Sequence, residues 1–328
     1  MTTFFATLTP MLTLFLCIAV GFTLTKCKIL PENSSKIMAK METWIFCPAL
    51  SFMTMVRFCT VETIGEHLVN IILACIGVAF SMAIAIFLAR FFVKDKGIER
   101  GVYAYALAFA NGGYMGDPVV LALFGDVVLA YYKLFYLPFS LLINSWGISV
   151  MTPASEGKNS FWKRLINAPT IAMLAGVAVG LSGLGNYLPT PVTNALDTLK
   201  VCMGPVAMLL AGVTIAKYDL LSMLKKKKVY VASALRLTLL PALTVLFIFG
   251  AKTLANIAFG TAIDNDILFL IFFATAMPIG LNTIIFPEAF GGEPETGASM
   301  AMISHTLCVV SIPLMYALMI AVFGVPFI

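Results

Sequence analysis

Charge is what this sequence has least of. Aspartate, glutamate, lysine and arginine make up 11% of its 328 residues, where a soluble domain carries about 25%. Hydrophobic residues reach 60% and the mean hydropathy is +0.98. One soluble core cannot absorb that much apolar surface, so a bilayer is the expected solvent. Histidine is scarce as well: His67 and His305 stand alone, without matching acidic partners. HExxH, GxSxG and GxxxxGK[ST] patterns are missing, which excludes a zinc hydrolase, a nucleophile-elbow enzyme and an ATP-driven pump. No catalytic residue, metal ligand or cofactor is assigned. The seven cysteines (Cys17, Cys27, Cys47, Cys59, Cys75, Cys202 and Cys308) are odd in number and lack CxxC spacing. They make neither a disulfide framework nor a metal site and read as small core hydrophobes. The net charge of +5 does not signal nucleic acid, because the cations cluster in short loops between apolar runs, as they do beside anionic lipid headgroups.

What the chain does have is long apolar runs. A spanning helix needs about 20 apolar residues, and ten segments qualify, at roughly 4–25, 36–57, 67–92, 101–125, 129–150, 167–184, 191–216, 228–250, 263–290 and 296–324. The first is not expected to be a cleaved signal, since no positive charge precedes it and it is long enough to span. Sixteen of the 21 lysines and arginines fall in or beside the first, third, fifth and seventh loops. The positive-inside bias makes those loops cytoplasmic and puts both termini outside a multi-pass cell-membrane protein. The most polar connector lies near the middle, so the expected organisation is 1–150, a cytoplasmic linker at 151–166, and 167–328. Across that linker the halves repeat weakly. "WIFCPALSF" with Pro48 answers "KVCMGPVAMLLAG" with Pro205, and "FANGGYMGDPVVLALFGD" answers "FATAMPIGLNTIIFPEAFGG". Five spans per half force the second half to insert upside down, the inverted repeat common among secondary transporters.

The fourth run combines Gly112, Gly113, Gly116 and Pro118; the ninth combines Pro278, Gly280 and Pro287. Proline lacks an amide hydrogen and clashes with the preceding turn, and glycine weakens a helix by roughly 0.5–1 kcal/mol against alanine. Opened backbone is tolerated at membrane depth only where protein buries it or a watery cavity meets it. Paired breaks in corresponding halves therefore point to a substrate site, with half-helix N-termini that suit an anion.

"NGGYMGDP", "MPIGLNTIIF" and "SHTLCVVSIPLMY" resemble the auxin efflux carrier family, over nearly the whole chain. The resemblance implies an all-α membrane fold of ten helices in two inverted five-helix repeats, like that of bile-acid symporters and sodium/proton antiporters. It also implies an elevator, in which spans 3–5 and 8–10 move against a scaffold of spans 1, 2, 6 and 7. By the same resemblance Asn111, Gly112, Gly113 and Pro118 belong to a first substrate-binding crossover, and Pro278 and Asn282 to a second. The scaffold face around Pro48 and Pro205 closes the pocket. The substrate class is a small organic anion such as malonate, malate or an auxin-like acid.

One residue departs from the family pattern. Asp117 stands where an apolar side chain is usual, and an ionised carboxylate at the bilayer centre costs about 2.5–3.5 kcal/mol on insertion scales. It reads either as a coupling group or as an N-cap for the second half-helix ahead of Pro118. Arg236 reads as a counter-charge for a carboxylate or for Asp117, or else as a cation snorkelling to the cytoplasmic edge. His305 reads as a proton relay or as a neutral interhelical partner. Asn144 and Ser304 could reach the crossovers, and Glu288 is expected to meet solvent. The small residues of "AGVAVGLSGLG", Ala175 to Gly185, allow close approach in a scaffold or homodimer contact. A carrier leads the functional readings. A sodium- or proton-coupled symporter of the bile-acid type, a membrane receptor and an intramembrane enzyme are the alternatives.

Overall fold

The computed structural model describes residues 2–153, 167–260, 263 and 265–325. The expected connector at 151–166 lies outside the described residues from 154 onward. Twelve helical stretches carry the architecture. In chain order these are α1 (Thr2–Lys26), α2 (34–58), α3 (Val61–Phe92), α4 (Ile98–Ala108), α5 (112–124) and α6 (Val127–Met151). They continue with α7 (Ala168–Leu181), α8 (Thr190–Ala216), α9 (Lys227–Ala258), α10 (Asp266–Ala276), α11 (Asn282–Phe290) and α12 (Pro294–Phe323). The described residues contain no strand, only an isolated antiparallel bridge between Ala110 and Ile279.

Local chemistry sets the boundaries. Thr60 caps α3 by accepting from the Thr63 amide at 3.1 Å. Asn167 caps α7 by accepting from the Thr170 amide at 3.0 Å, with Pro169 in the first turn, where its missing amide is no loss. The turn between α5 and α6 uses Gly125 at φ +82°, a conformation that side chains with a Cβ resist. Three of the four π turns among the described residues, Glu42–Phe46, Gly112–Gly116 and Leu235–Leu239, each stop two residues before a proline (Pro48, Pro118 and Pro241), while Ile143–Gly147 does not. Proline removes one ladder bond and collides with the carbonyl four residues back, and a locally widened turn accommodates both.

Among the described residues, five helices are long and apolar enough to cross a membrane: Leu68–Phe92, Val127–Met151, Thr190–Ala216, Lys227–Ala258 and Pro294–Phe323. Ala168–Leu181 and Asp266–Ala276 are apolar but shorter, and α1 is a 25-residue apolar helix. The remaining expected spans fall on α2, which a π turn interrupts at Glu42, and on pairs broken at 109–111 and 277–281. Large apolar side chains face outward on many helices, among them Leu16, Phe91, Val201, Ile257 and Leu314. A water-soluble protein would bury that much apolar surface; lipid accepts it.

Packing puts α1 along α8 and α2 along α7, while α3 runs beside α4 and α9 contacts both α3 and α10. Small residues permit the closest contacts. A Cβ at Gly212 would sit 2.0 Å from the Ile18 carbonyl oxygen, and one at Gly176 2.6 Å from that of Phe52. Gly176 and Gly180 of the small-residue stripe thus serve the α2–α7 contact within one chain.

Candidate functional site

The two interrupted helices meet in the middle of the structure, where the backbone between α4 and α5 crosses that between α10 and α11. The Asn111 amide donates to the Pro278 carbonyl at 2.7 Å, and the Gly280 amide to the Phe109 carbonyl at 3.4 Å. Each opened polar group needs a partner, because an unpaired one away from water is expensive. Arg236 donates to the Leu107 and Ala108 carbonyls at 2.8 and 3.3 Å, and Ser81 to the Ala108 carbonyl at 3.2 Å. Tyr136 donates to the Ala110 carbonyl at 3.2 Å and Tyr132 to the Gly112 carbonyl at 3.3 Å. On the other strand of the crossing, the Ile279 amide donates to Ser304 Oγ at 3.2 Å, so Ser304 does reach the crossover. The tyrosines come close enough to require glycine: a Cβ at Gly112 would lie 2.5 Å from the Tyr136 ring. At Gly113 nothing stands within 4 Å.

That open space is part of a partly open cavity of about 80 Å³. One wall consists of Cys47, Leu50, Ser51, Thr54 and Met55 from α2, with Met173 of α7 and Met203 of α8. The other consists of Ala110 to Tyr114, Gly280 and Asn282 from the crossing, with Lys133, Tyr136, Ser140, Ile143 and Asn144 of α6. Asn282 Nδ2 donates to the Tyr105 hydroxyl at 3.0 Å, and Tyr114 donates to Asn282 Oδ1 at 3.4 Å. Asn111 Nδ2 lies 3.0 Å from His305 Nε2, while His305 Nδ1 lies 2.8 Å from the Ala301 carbonyl. A carbonyl only accepts, so Nδ1 carries the proton and Nε2 accepts from the asparagine. Asn111 Oδ1 is then left without a partner among the described residues.

The structure brings Asn111, Gly112, Gly113 and Asn282 onto the cavity wall. Pro118, Pro278, Pro48 and Pro205 do not line it; they shape the backbone from which neighbouring residues do. Asp117 is not an N-cap. It has helical dihedrals inside the continuous turn, and its side chain makes no capping bond. Instead Asp117 Oδ2 pairs with Lys133 from the next helix, and Oδ1 has no partner. Arg236 does not snorkel, being 0% exposed, and it faces carbonyls rather than Asp117. A buried guanidinium bound to the carbonyl end of α4 complements the negative pole of that half-helix. Glu288 also differs from expectation, because Lys217 pairs with it at 3.1 Å and its side chain is 9% exposed. Lys133 is the cavity cation that sequence reasoning missed. The available signal was an isolated lysine within an apolar run, 16 positions after an isolated aspartate.

An all-helical body with an apolar exterior and a mostly apolar cavity that carries a few polar groups at interrupted helices defines a multi-pass membrane transport protein. The family model for "Membrane transport protein" matches residues 6–160 and 153–316, so the chain belongs to that family, the auxin efflux carriers its motifs resemble. An uncharacterized transporter of Methanocaldococcus jannaschii is 23% identical over 312 residues, covering 92% of this chain and 96% of the relative. The protein is accordingly a transporter and not an enzyme.

Proposed function

We propose that the protein is a secondary carrier for a small organic anion, a mono- or dicarboxylate of the size of malonate or malate or an auxin-like acid. The observation that carries this reading is Lys133, a cation on the wall of a cavity bounded by opened backbone. A lysine there offers a carboxylate a charge-assisted hydrogen bond, roughly twice as strong as a neutral one. Asp117 holds the ammonium in place until substrate arrives and balances its charge in the empty carrier. The Asn282 amide donates to the carboxylate and Asn111 Oδ1 accepts from a substrate hydroxyl or indole N–H, as a few placed groups in a mostly apolar pocket do elsewhere.

The cavity lies between α2, α7 and α8 on one side and the crossing with α6 on the other, which by the family resemblance belong to the scaffold (α1, α2, α7, α8) and to the moving group (α3–α6, α9–α12). That placement supports an elevator in which the second group carries the substrate past the first, with two inverted five-span halves crossing at the paired breaks. The loop cations support cytoplasmic odd loops and both termini outside.

The test is twofold. Purified protein is melted with malonate, malate, citrate and indole-3-acetate at several concentrations, since a ligand of the folded state raises the midpoint with the logarithm of its concentration. The stabilising anions are then offered to proteoliposomes. Saturable uptake is expected; stabilisation without uptake would leave a receptor, and no response to any carboxylate would end the proposal.

A further inference from the structure

Behind the α2 wall of the cavity lies a second acidic residue with no part in the site described above. Glu42 is 0% exposed, and neither of its carboxyl oxygens has a hydrogen-bond partner. It begins the π turn Glu42–Phe46, a distortion that recurs at functional positions. This turn packs against α7, α8 and α11, so it sits on the boundary between the two helix groups that the carrier reading moves past one another.

No cation pairs with Glu42 among the described residues: Lys36 and Lys40 on its own helix are exposed, and the charged groups of the packed helices are engaged elsewhere. On α8, Asp197 pairs with Arg57 and Lys200 at one end of the helix, and Cys202 lies a turn beyond them. On α11, Glu288 pairs with Lys217. Helix α7 carries no titratable side chain. Within reach of a charge on Glu42 are Cys47, on the next turn of its own helix, and Tyr114, at the start of α5. Both line the cavity, and neither can neutralise a carboxylate. An ionised carboxyl group buried without a cation or a donor is strongly disfavoured, whereas the protonated acid fits the site as a neutral group.

We propose that Glu42 is a proton-carrying group of the transport cycle. It is a carboxylic acid in the conformation seen here, and it releases its proton to water when movement along the α8–α11 boundary admits solvent to the turn. The proton leaves as hydronium, the carboxylate remains, and the return movement requires reprotonation before the boundary closes again. One buried acid thereby ties the movement of the carrier to a proton gradient. The proposal rests on the carrier reading but uses a residue outside the anion site.

Glu42→Gln keeps the shape and neutrality of the acid and removes its ability to release a proton. Two measurements test the assignment. The infrared difference spectrum of wild type against Glu42→Gln at neutral pH should contain the carbonyl band of a protonated carboxylic acid. A lost carboxylate band in its place would overturn the proposal whatever the substrate proves to be. Proteoliposomes containing a pH-sensitive dye are then given malonate, malate or indole-3-acetate. Wild type should change the lumenal pH as the anion enters, Glu42→Gln should exchange labelled anion across the membrane without that change, and Glu42→Asp should restore it. A lumenal pH change of wild-type size in Glu42→Gln would refute the coupling role. Failure of every anion to enter with wild type would instead count against the carrier reading, and the infrared band would decide Glu42 alone.

Discussion

Replacing Lys133 by methionine should destabilise the protein in a way that acid relieves. Asp117 and Lys133 pair with side chains only 16% and 11% exposed, and removing one member of such a pair strands the other charge. Breaking a buried pair is worth about 3–5 kcal/mol. The stranded aspartate has one escape, which is to take up a proton. Against an ordinary aspartate value near 3.9, protonation at pH 7 requires about 4 kcal/mol, and at pH 5 about 1.5 kcal/mol. The penalty in Lys133→Met is therefore capped near 4 kcal/mol at neutral pH and shrinks as pH falls, because the neutral folded form must bind a proton that the unfolded chain does not hold. Asp117→Asn should show the opposite slope. Its stranded lysine sheds a proton more readily at high pH, and its position on the cavity wall gives it water, so its penalty is smaller. The double variant Asp117→Asn/Lys133→Met removes both charges and should recover most of the loss, giving a coupling energy of roughly 3 kcal/mol in a double-mutant cycle. The assay is thermal unfolding of detergent-purified protein by intrinsic fluorescence from pH 5 to pH 9. The double variant should still fail to bind carboxylates. Equal stability of Lys133→Met and wild type at pH 7, or parallel pH slopes in the two single variants, would refute the buried pair. Wild-type malonate affinity in the folded double variant would refute Lys133 as the anion contact.

Three further outcomes are expected. Gly113→Ala should leave the melting temperature unchanged yet weaken anion binding severalfold, since its new methyl group enters the cavity; Gly112→Ala should lower the melting temperature as well, because its Cβ would lie 2.5 Å from the Tyr136 ring. Arg236→Met strips the Leu107 and Ala108 carbonyls of their strongest donor and should destabilise by about 1–3 kcal/mol for each group left unsatisfied, read by unfolding; a wild-type melting temperature would mean that Ser81 and water suffice. Asn111→Ala and Asn282→Ala should weaken binding more than they reduce folded yield, and wild-type affinity in the double alanine variant, measured by thermal shift with malonate, would remove the crossover from the site.

The sequence by itself determined the solvent of this protein and the places where its helices open. Both follow from composition along the chain: apolar runs must be shielded from water, and Gly112, Gly113, Pro118, Pro278 and Gly280 cannot propagate an unbroken helix whatever surrounds them. Asn111 and Asn282 entered only through the family resemblance of the motifs around those breaks. Tertiary structure decided how the opened backbone is satisfied and where its charges go. Tyr132 and Tyr136 look like ordinary aromatic residues of an apolar helix until the turn at Gly125 folds α6 back onto α5 and aims their hydroxyls at the carbonyls of Gly112 and Ala110. That same turn brings Lys133 to Asp117, converting an expected cap into an ion pair. Arg236 reads on a linear chain as either a counter-charge or a snorkelling cation, and nothing there singles out Glu42, because periodicity says how deep a residue sits along one helix but not which helices enclose it. Burial of both was settled by neighbours more than a hundred positions away, and partner geometry at that range depends on the folded chain as a whole.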